Sequence, residues 1–401
     1  MPMVPSAEDE QLVREKQEQA VRCLQISGID AWLVFVREGS DPVTTATISG
    51  AEYVVQNAAF IFTRDGRRIA VLQPIDVQNK AGVFFDEIVP CGDDVDQVVA
   101  HTLGRINPTR LAVNFSRREF CADGLTHGMY LRLMDILTAV QLQDRVISAE
   151  DIVVHLRAIK TREEIQRMRK AAEITATVAE DVMSIMKDGV TQRDMIEFFT
   201  SRASHYGASA IDASIAANPV GENDKGLRDR PLQPGDVVLS DMGAAYKHYH
   251  ADLKRCWYIL GDKETEAPEL LARQWQVCHE TLTSSLRELR TGRPGYEVHN
   301  AAWTVMEQLG FKRDQHSFGH QIGRRAHDAG PWLGDKDNIY RPATGLLQEN
   351  MVVTLDPTMN RVGKTNAHSY SVGLEEMAIV KANGGELIQA PQREIYLVRL
   401  R

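Results

Sequence analysis

The sequence predicts an α+β protein of two domains, an N-terminal α/β domain over residues 1–155 and a C-terminal α+β domain over residues 156–401. Three observations lead to this prediction. Helical and strand patterns alternate through the first 150 residues, which carry no ligand-rich motif. Thr161-Arg-Glu-Glu164 is a capping box that opens a long helix just beyond the boundary. Pairs of helices then alternate with pairs of strands, as in many α+β domains.

The N-terminal domain begins with a helical pattern that ends at a glycine. Glu8 to Ser27 carries a rough apolar stripe, and Gly28 follows as a typical helix stop. The apolar run Ile29–Val36 then predicts a buried strand. Asp65-Gly66 lies between two β-type runs and predicts a hairpin. The other predicted elements are strands at 59–63, 68–72 and 110–115 and helices at 94–106 and 131–140.

Helix ends and turns organise the C-terminal domain. The long helix has an apolar stripe from Ile165 to Met183, and Gly189 lies just past its predicted end. Thr191 starts a second helix that closes near Gly207, and Pro234–Asp236 turns the chain into a strand. The predicted elements that follow are helices at 269–290 and 296–309 and strands at 351–356 and 375–380.

The composition is that of an ordinary globular protein and argues against several partners. The net charge is −9 without a basic block, which disfavours nucleic acid and anionic membrane surfaces. No apolar run is long enough to span a bilayer, and Met1–Glu10 lacks the basic and apolar regions of a signal peptide. The five cysteines are scattered without a C-x-x-C pair, which favours a reducing cytoplasm over a disulfide framework.

Five residues of the C-terminal domain have side chains that bind divalent metals. They are Asp241, Asp252, His320, Asp356 and Glu375. Four carboxylates and one imidazole suit one or two ions such as Mn²⁺, Co²⁺, Fe²⁺ or Zn²⁺. If a hairpin turns at Tyr246-Lys247, Asp241 and Asp252 lie opposite each other and repel unless a cation lies between them.

Each of these residues also has an ordinary structural explanation when it is taken alone. An Asp at a strand end, such as Asp356 before Pro357, is most often a turn or cap residue. His320 could be a satisfied core histidine, and Glu375 with Glu376 could form an exposed strand edge. Together, five ligand types on successive segments of one domain predict a metal site.

Four motifs in this domain resemble those of one known superfamily. They are Asp241-x-Gly-Ala with Tyr249-x-Ala-Asp252, His316-x-x-Gly-His320-x-x-Gly323 followed by His327-Asp328, Asn350–Pro357, and Gly373-Leu-Glu375-Glu376. On these residues, the chain resembles the creatinase, aminopeptidase P, prolidase and methionine aminopeptidase superfamily (peptidase family M24). The resemblance covers nearly the whole chain. It implies a pita-bread catalytic domain preceded by a creatinase-type N-terminal α/β domain.

The resemblance implies a metal-binding role for each candidate ligand. Asp252 and Glu375 would bridge two ions. Asp241 would complete the shell of one ion, and His320 with Asp356 the shell of the other. A metal-activated water would then be the nucleophile, and Asp356 would accept its proton.

The resemblance also implies substrate contacts, and here the chain departs from the family. His316 and His327 would flank the substrate and donate to the developing oxyanion. A further substrate histidine of the family falls near Asp224, where this chain has none. Asp224 could instead receive a positively charged substrate, or belong to a solvated loop. Asp356 replaces the usual Glu, which shortens its reach by roughly 1.5 Å, and Gly373 replaces an Arg.

The predicted function is metal-dependent hydrolysis of a C–N bond, of the Xaa-Pro dipeptidase or aminopeptidase P type. The substrate would be a dipeptide or a small non-peptide molecule. The alternatives are a metal-dependent lyase that acts by β-elimination and a non-catalytic metal-binding scaffold. The expected cofactor is one or two divalent ions per chain, with Mn²⁺ first and Co²⁺, Fe²⁺ or Zn²⁺ as alternatives. The resemblance further implies a homodimer, and the cysteine pattern a cytoplasmic protein.

Overall fold

The computed structural model describes residues 7–218, 230–308, 310–311, 317–338, 342–359 and 370–400. The chain divides into two compact units, Met1–Arg157 and Ala158–Arg401. The predicted domain boundary lies two residues earlier, after residue 155. Within the described residues, no helix combines the length and the apolar character needed to cross a bilayer.

The first unit is a mixed sheet with helices. Its helices are α1 (Ala7–Ser27), α2 (Pro42–Ser49), α3 (Pro74–Gln78), α4 (Val95–Ile106), α5 (His127–Thr138) and α6 (Glu150–Ala158), which ends one residue past the boundary. Its strands are β1 (Ala31–Val36), β2 (Ala58–Thr63), β3 (Arg68–Leu72), β4 (Glu87–Pro90), β5 (Leu111–Val113) and β6 (Val146–Ser148). The strand order in the sheet is β4-β3-β2-β1-β5-β6.

Strand β1 is buried on both faces. It pairs antiparallel with β2 and parallel with β5. Trp32 and Val34 pack into one apolar core, whereas Leu33 and Phe35 pack into a second core. A strand covered on both faces needs apolar residues at every position, which explains the continuous apolar run in the sequence.

In the residues that the structure describes, the second unit contains four long helices and several sheets. Its helices are α7 (Arg162–Asp181), α8 (Gln192–His205), α9 (Glu269–Glu288) and α10 (Gly295–Gln308). Its first strands are β7 (Ser209–Ala217), β8 (Val237–Tyr246), β9 (Tyr249–His250), β10 (Leu253–Ile259) and β11 (Val352–Leu355). The later strands are β12 (Thr358–Met359), β13 (Val372–Gly373), β14 (Glu376–Lys381), β15 (Gly384–Leu387) and β16 (Tyr396–Val398).

The main sheet of this unit lies between two apolar layers. Its strand order is β16-β10-β8-β7, with β9 pairing with β8, while β11-β14-β15 and β12-β13 form smaller sheets. One face packs with α7 and α8, and Trp257 and Phe199 belong to one core on this face. The other face packs with α9, α10 and β11, where Cys256 and Trp275 share a core with Val353. Val237 belongs to this second core. Asp241 lies four residues further along β8, so its side chain is on the same face of the sheet.

Local sequence signals predicted most of these elements. The hairpin of β2 and β3 and the capping box at Thr161 are confirmed. The helix that begins there ends at Asp181, earlier than predicted, because the chain continues into a short 3₁₀ turn, Val182–Ile185. Helix α2 and strand β7 were not predicted. Helix α2 is rich in Thr, which disfavours helix, and β7 is rich in Ala, which is depleted in strands.

Candidate metal centre

The hairpin that carries the first two acids has a different register from the predicted one. Its turn consists of Lys247 and His248, whose φ angles are 45° and 68°, as a tight two-residue turn requires. With this turn Asp241 pairs with Lys254. The prediction that Asp241 lies opposite Asp252 is therefore wrong. A turn that starts one residue later shifts the pairing by two residues.

A glycine brings the two strands of the hairpin together. A Cβ at Gly243 would lie 2.1 Å from the carbonyl oxygen of Ala251, so a larger residue would push the strands apart. The flanking pairs place Asp252 across from Gly243, next to the pair of Asp241 and Lys254. Three polar side chains consequently share one face of the sheet.

The segment that carries His320 is hydrogen-bonded to the region of β11. The Thr354 amide donates to the His320 carbonyl (2.9 Å), and the Asp356 amide donates to the Phe318 carbonyl (2.8 Å). A Cβ at Gly319 would lie 2.0 Å from the Thr354 carbonyl oxygen, so this approach requires glycine. These contacts bring His320 and Asp356 close to each other.

Two more backbone hydrogen bonds connect this segment and β14 to the hairpin. The His250 amide donates to the Gly323 carbonyl (2.8 Å), and the Lys254 amide donates to the Glu375 carbonyl (3.3 Å). The four segments that carry the predicted ligands are thus joined through their backbones. Side chains distant in sequence acquire fixed relative positions in this way.

His320 presents one ring nitrogen to the site. Its Nδ1 lies 3.1 Å from the Gln321 carbonyl oxygen, so Nδ1 carries the proton and Nε2 keeps a free lone pair. Burial, together with the neighbouring His327, lowers the pKa of His320 to about 3. The ring is therefore neutral near pH 7, the form in which histidine binds metals.

The two adjacent glutamates point in different directions. Glu375 faces the site, whereas Glu376 forms a buried ion pair with Arg255 (Nη1 to Oε1, 2.8 Å). Arg255 Nη1 also donates to the carbonyls of Lys254 (2.8 Å) and Glu375 (3.3 Å). The Arg255 guanidinium thus supports the backbone at two positions that line the site.

Three of the five predicted ligands form a set that fits one divalent ion. The donor atoms of Asp252, His320 and Glu375 lie within 4.8 Å of one another. His320 Nε2 is 3.6 Å from Asp252 Oδ2 and 4.0 Å from Glu375 Oε1. Ligand bonds of about 2.0–2.2 Å allow two donors on one ion to be up to about 4.4 Å apart.

A lysine that is not among the predicted ligands lies between the remaining acids. Lys254 Nζ contacts Asp356 Oδ2 and lies 3.2 Å from Glu375 Oε2 and 3.7 Å from Asp241 Oδ2. Only 8% of its side chain is exposed. The signal in the sequence was its spacing: Lys254 follows Asp252 by two positions where the chain enters β10, so both face the same side.

The charges in this cluster shift each other's protonation. Burial raises the pKa of Glu375 to about 8; Lys254 opposes this rise, and Asp356 adds to it. Burial and the charge of Glu375 raise the pKa of Asp252 well above its ordinary value. Burial alone would lower the pKa of Lys254, but the surrounding carboxylates raise it well above its ordinary value. Crowded buried carboxylates of this kind favour a bound cation.

Asp356 is engaged on both carboxylate oxygens. Its Oδ2 accepts from Lys254, and its Oδ1 accepts from the Thr358 hydroxyl (2.5 Å). Its predicted roles as metal ligand and proton acceptor stay predictions. A carboxylate that accepts hydrogen bonds from an ammonium and a hydroxyl is a weaker proton acceptor than a free one.

Two aromatic rings border the candidate ligands. The His327 ring is exposed and lies edge-on to His320, with centroids 4.3 Å apart. The Trp332 ring lies 5.3 Å from His320 and 5.2 Å from His327. The structure thus brings His327 beside the ligand set. The other two predicted substrate residues, His316 and Asp224, lie outside the described residues.

A family model and curated relatives match the part of the chain that holds these residues. The model described as metallopeptidase family M24 matches residues 166–382, more than half of the chain. An uncharacterized peptidase of Staphylococcus aureus is 27% identical over 244 residues, which cover 59% of this chain and 64% of the relative. The chain therefore spans less than two thirds of the length of these curated relatives.

Solved structures match nearly the whole chain. An X-Pro aminopeptidase from Thermotoga maritima has 22% identity and a TM-score of 0.76, and the match covers 94% of this chain and 99% of that one. An Xaa-Pro dipeptidase from Bacillus anthracis has 21% identity and a TM-score of 0.76, with coverage of 96% and 100%. These similarities confirm the predicted fold class, a pita-bread domain preceded by an N-terminal α/β domain.

Proposed function

The chain belongs to metallopeptidase family M24, a family of metal-dependent hydrolases, and we propose that it hydrolyses a C–N bond in a small substrate. An Xaa-Pro dipeptidase or aminopeptidase P-like activity is the first expectation, and a small non-peptide amide is the second. One observation carries the proposal. Asp252, His320 and Glu375 come from three segments, and their donor atoms lie within 4.8 Å of one another.

The ligand residues support this chemistry through their protonation and their fixed positions. A divalent ion bound by them would polarise a carbonyl and acidify water near neutral pH. His320 is held with its free Nε2 towards Asp252 and Glu375, so the imidazole does not need to lose a proton or reorient on binding. Arg255 donates a hydrogen bond to the Glu375 carbonyl oxygen, which supports the backbone just before β14.

The rings beside the ligands support a substrate-binding role. His327 is exposed next to the buried His320, and Trp332 packs against both rings. We expect His327 to donate a hydrogen bond to the oxygen that becomes negative in the transition state. His316 and Asp224 keep their predicted roles in substrate binding.

Three further expectations accompany the proposal. Mn²⁺ is the expected ion, with Co²⁺, Fe²⁺ and Zn²⁺ as alternatives, because the ligand set combines carboxylates with one imidazole. The resemblance to creatinase and prolidase leads us to expect a homodimer. The scattered cysteines, which include no C-x-x-C pair, lead us to expect a cytoplasmic enzyme.

The decisive assay combines a substrate panel with a ligand variant. Purified protein loaded with Mn²⁺, Co²⁺, Fe²⁺ or Zn²⁺ is incubated with Xaa-Pro dipeptides, longer Xaa-Pro peptides and small amides in H₂¹⁸O. We expect amine release with uptake of one solvent oxygen. Asp252→Asn should lower turnover by about 10²-fold, because it replaces the charged carboxylate of one of the three ligands with a neutral amide. Asp262→Asn, an exposed acid of the same unit, is the matched control and should leave turnover unchanged.

Two outcomes would contradict the proposal. An unsaturated product without solvent oxygen would identify a lyase. A protein that binds ions through these residues but turns over no member of the panel would identify a binding protein.

A further inference from the structure

We propose that the Lys254 ammonium occupies one of the two cation positions implied by the resemblance to the family. The centre then takes one divalent ion, on Asp252, His320 and Glu375, instead of two. This inference deepens the proposed function and rests on it only for the presence of a metal site. It concerns the number of ions, which can be measured without a substrate.

The contacts divide the cluster into two halves. Lys254 Nζ meets oxygens of Asp356, Glu375 and Asp241. His320 Nε2 faces Asp252 and the other oxygen of Glu375. Glu375 therefore divides its two oxygens, with Oε2 towards the ammonium and Oε1 towards the histidine. One half already contains a positive charge, and the other half is a three-donor set.

A second divalent ion would need the oxygens that the ammonium holds. Asp241 and Asp356 are the ligands left after the three-donor set is removed, and both contact Lys254. An ion bound between them would lie a few ångströms from a buried positive charge, where repulsion is only weakly screened. The single charge of Lys254 costs less desolvation than a divalent ion and is covalently attached, so it is always present.

The position of Lys254 on its strand favours this arrangement. It pairs with Asp241 across the hairpin and is hydrogen-bonded through its amide to the Glu375 carbonyl. Arg255 Nη1 donates a hydrogen bond to the Lys254 carbonyl oxygen (2.8 Å). The backbone is thus fixed on both sides, and the side chain is directed into the acids. Four carboxylates and one ammonium carry a net charge of −3. One divalent ion reduces this net charge to −1, whereas two would make the cluster positive.

The charge balance can be tested by removing the ammonium. Mn²⁺ bound per chain is measured by elemental analysis after equilibrium dialysis, and electron paramagnetic resonance reports whether the bound ions are coupled. The wild-type protein should bind one Mn²⁺ with an uncoupled spectrum. Lys254→Thr should bind two, with the exchange-coupled spectrum of ions about 3.5–4 Å apart. Lys254→Arg keeps the charge and should stay at one ion.

A buried lysine elsewhere in the same unit provides the matched control. Lys160 is 3% exposed, and its Nζ donates to the Ala158 carbonyl. Lys160→Thr removes a buried ammonium in the same way and should leave one Mn²⁺ per chain. Circular dichroism confirms that each variant is folded. If Lys254→Thr does not fold, the count and spectrum of the wild-type protein and Lys254→Arg decide the question.

The outcomes separate this inference from the proposed function. Two coupled ions in the wild-type protein, or no bound ion, would overturn the inference, as would a Lys254→Thr protein that still binds one ion. A wild-type protein with one ion that hydrolyses no amide would leave the inference standing and refute the proposed function. A wild-type protein that hydrolyses an amide and binds two coupled ions would support the proposed function and refute the inference.

Discussion

Replacement of Arg255 by Met should destabilise the second unit strongly, because it leaves the Glu376 charge buried without its ion-pair partner. The two side chains are 2% and 0% exposed, and they are joined at 2.8 Å and 3.4 Å. Removal of one partner of a buried pair costs about 3–5 kcal/mol. The backbone carbonyls of Lys254 and Glu375 lose a donor in the same variant, so affinity for a metal should fall by about 10–100-fold.

The free energies of unfolding of the variants are measured by urea unfolding and compared in a double-mutant cycle. Metal titration gives the affinity of each variant. Glu376→Gln removes the stranded charge, so Arg255→Met combined with Glu376→Gln should lose less stability than Arg255→Met alone. Arg169 pairs with Glu386 at the surface, with side chains 33% and 51% exposed. Arg169→Met is thus the matched control and should cost at most about 1 kcal/mol. Equal losses in Arg255→Met and Arg169→Met, or additive losses in the cycle, would refute the reasoning.

The remaining predictions concern local structure and are read from unfolding curves. Gly243→Ala should lower the free energy of unfolding by about 1–3 kcal/mol, because its Cβ would meet a backbone carbonyl. Gly104→Ala inside α4 should raise it by about 0.5–1 kcal/mol. Equal effects of the two substitutions would contradict the close approach at Gly243. Thr161→Ala removes the capping box of α7 and should cost about 1 kcal/mol, while Thr161→Ser should cost less. Hydrogen bonding, first to Thr109, lowers the pKa of Asp30. The ionised carboxylate therefore stabilises the folded state at neutral pH, and this stabilisation is lost as the pH falls through the lowered pKa. The free energies of unfolding of Asp30→Asn and wild type should therefore differ less at pH 3 than at pH 6. A difference that stays constant with pH would contradict this prediction.

Local signals explain why much of the fold could be predicted from the sequence. The Asp65-Gly66 turn and the capping boxes at Thr161 and Thr191 are short motifs whose hydrogen bonds involve residues only a few positions apart. The ligand types at Asp252, His320 and Glu375 were also visible, because each lies in a motif with a distinctive spacing. Their convergence depends on packing across the unit, and only the structure reveals it.

The register of the site hairpin could not be predicted, because its turn carries no glycine or asparagine. Lys247 and His248 adopt positive φ without the usual residues for that conformation. The misplaced turn concealed the pairing of Asp241 with Lys254 and therefore the ammonium in the cluster. Strand periodicity placed Lys254 on the same face as Asp252, and that was the available signal.

Anomalous diffraction from crystals of the Mn²⁺-loaded protein tests the central claim most directly. We expect one manganese peak per chain, bounded by Asp252, His320 and Glu375, with the Lys254 ammonium still in contact with Asp356. Density without a manganese peak between those three side chains would contradict it.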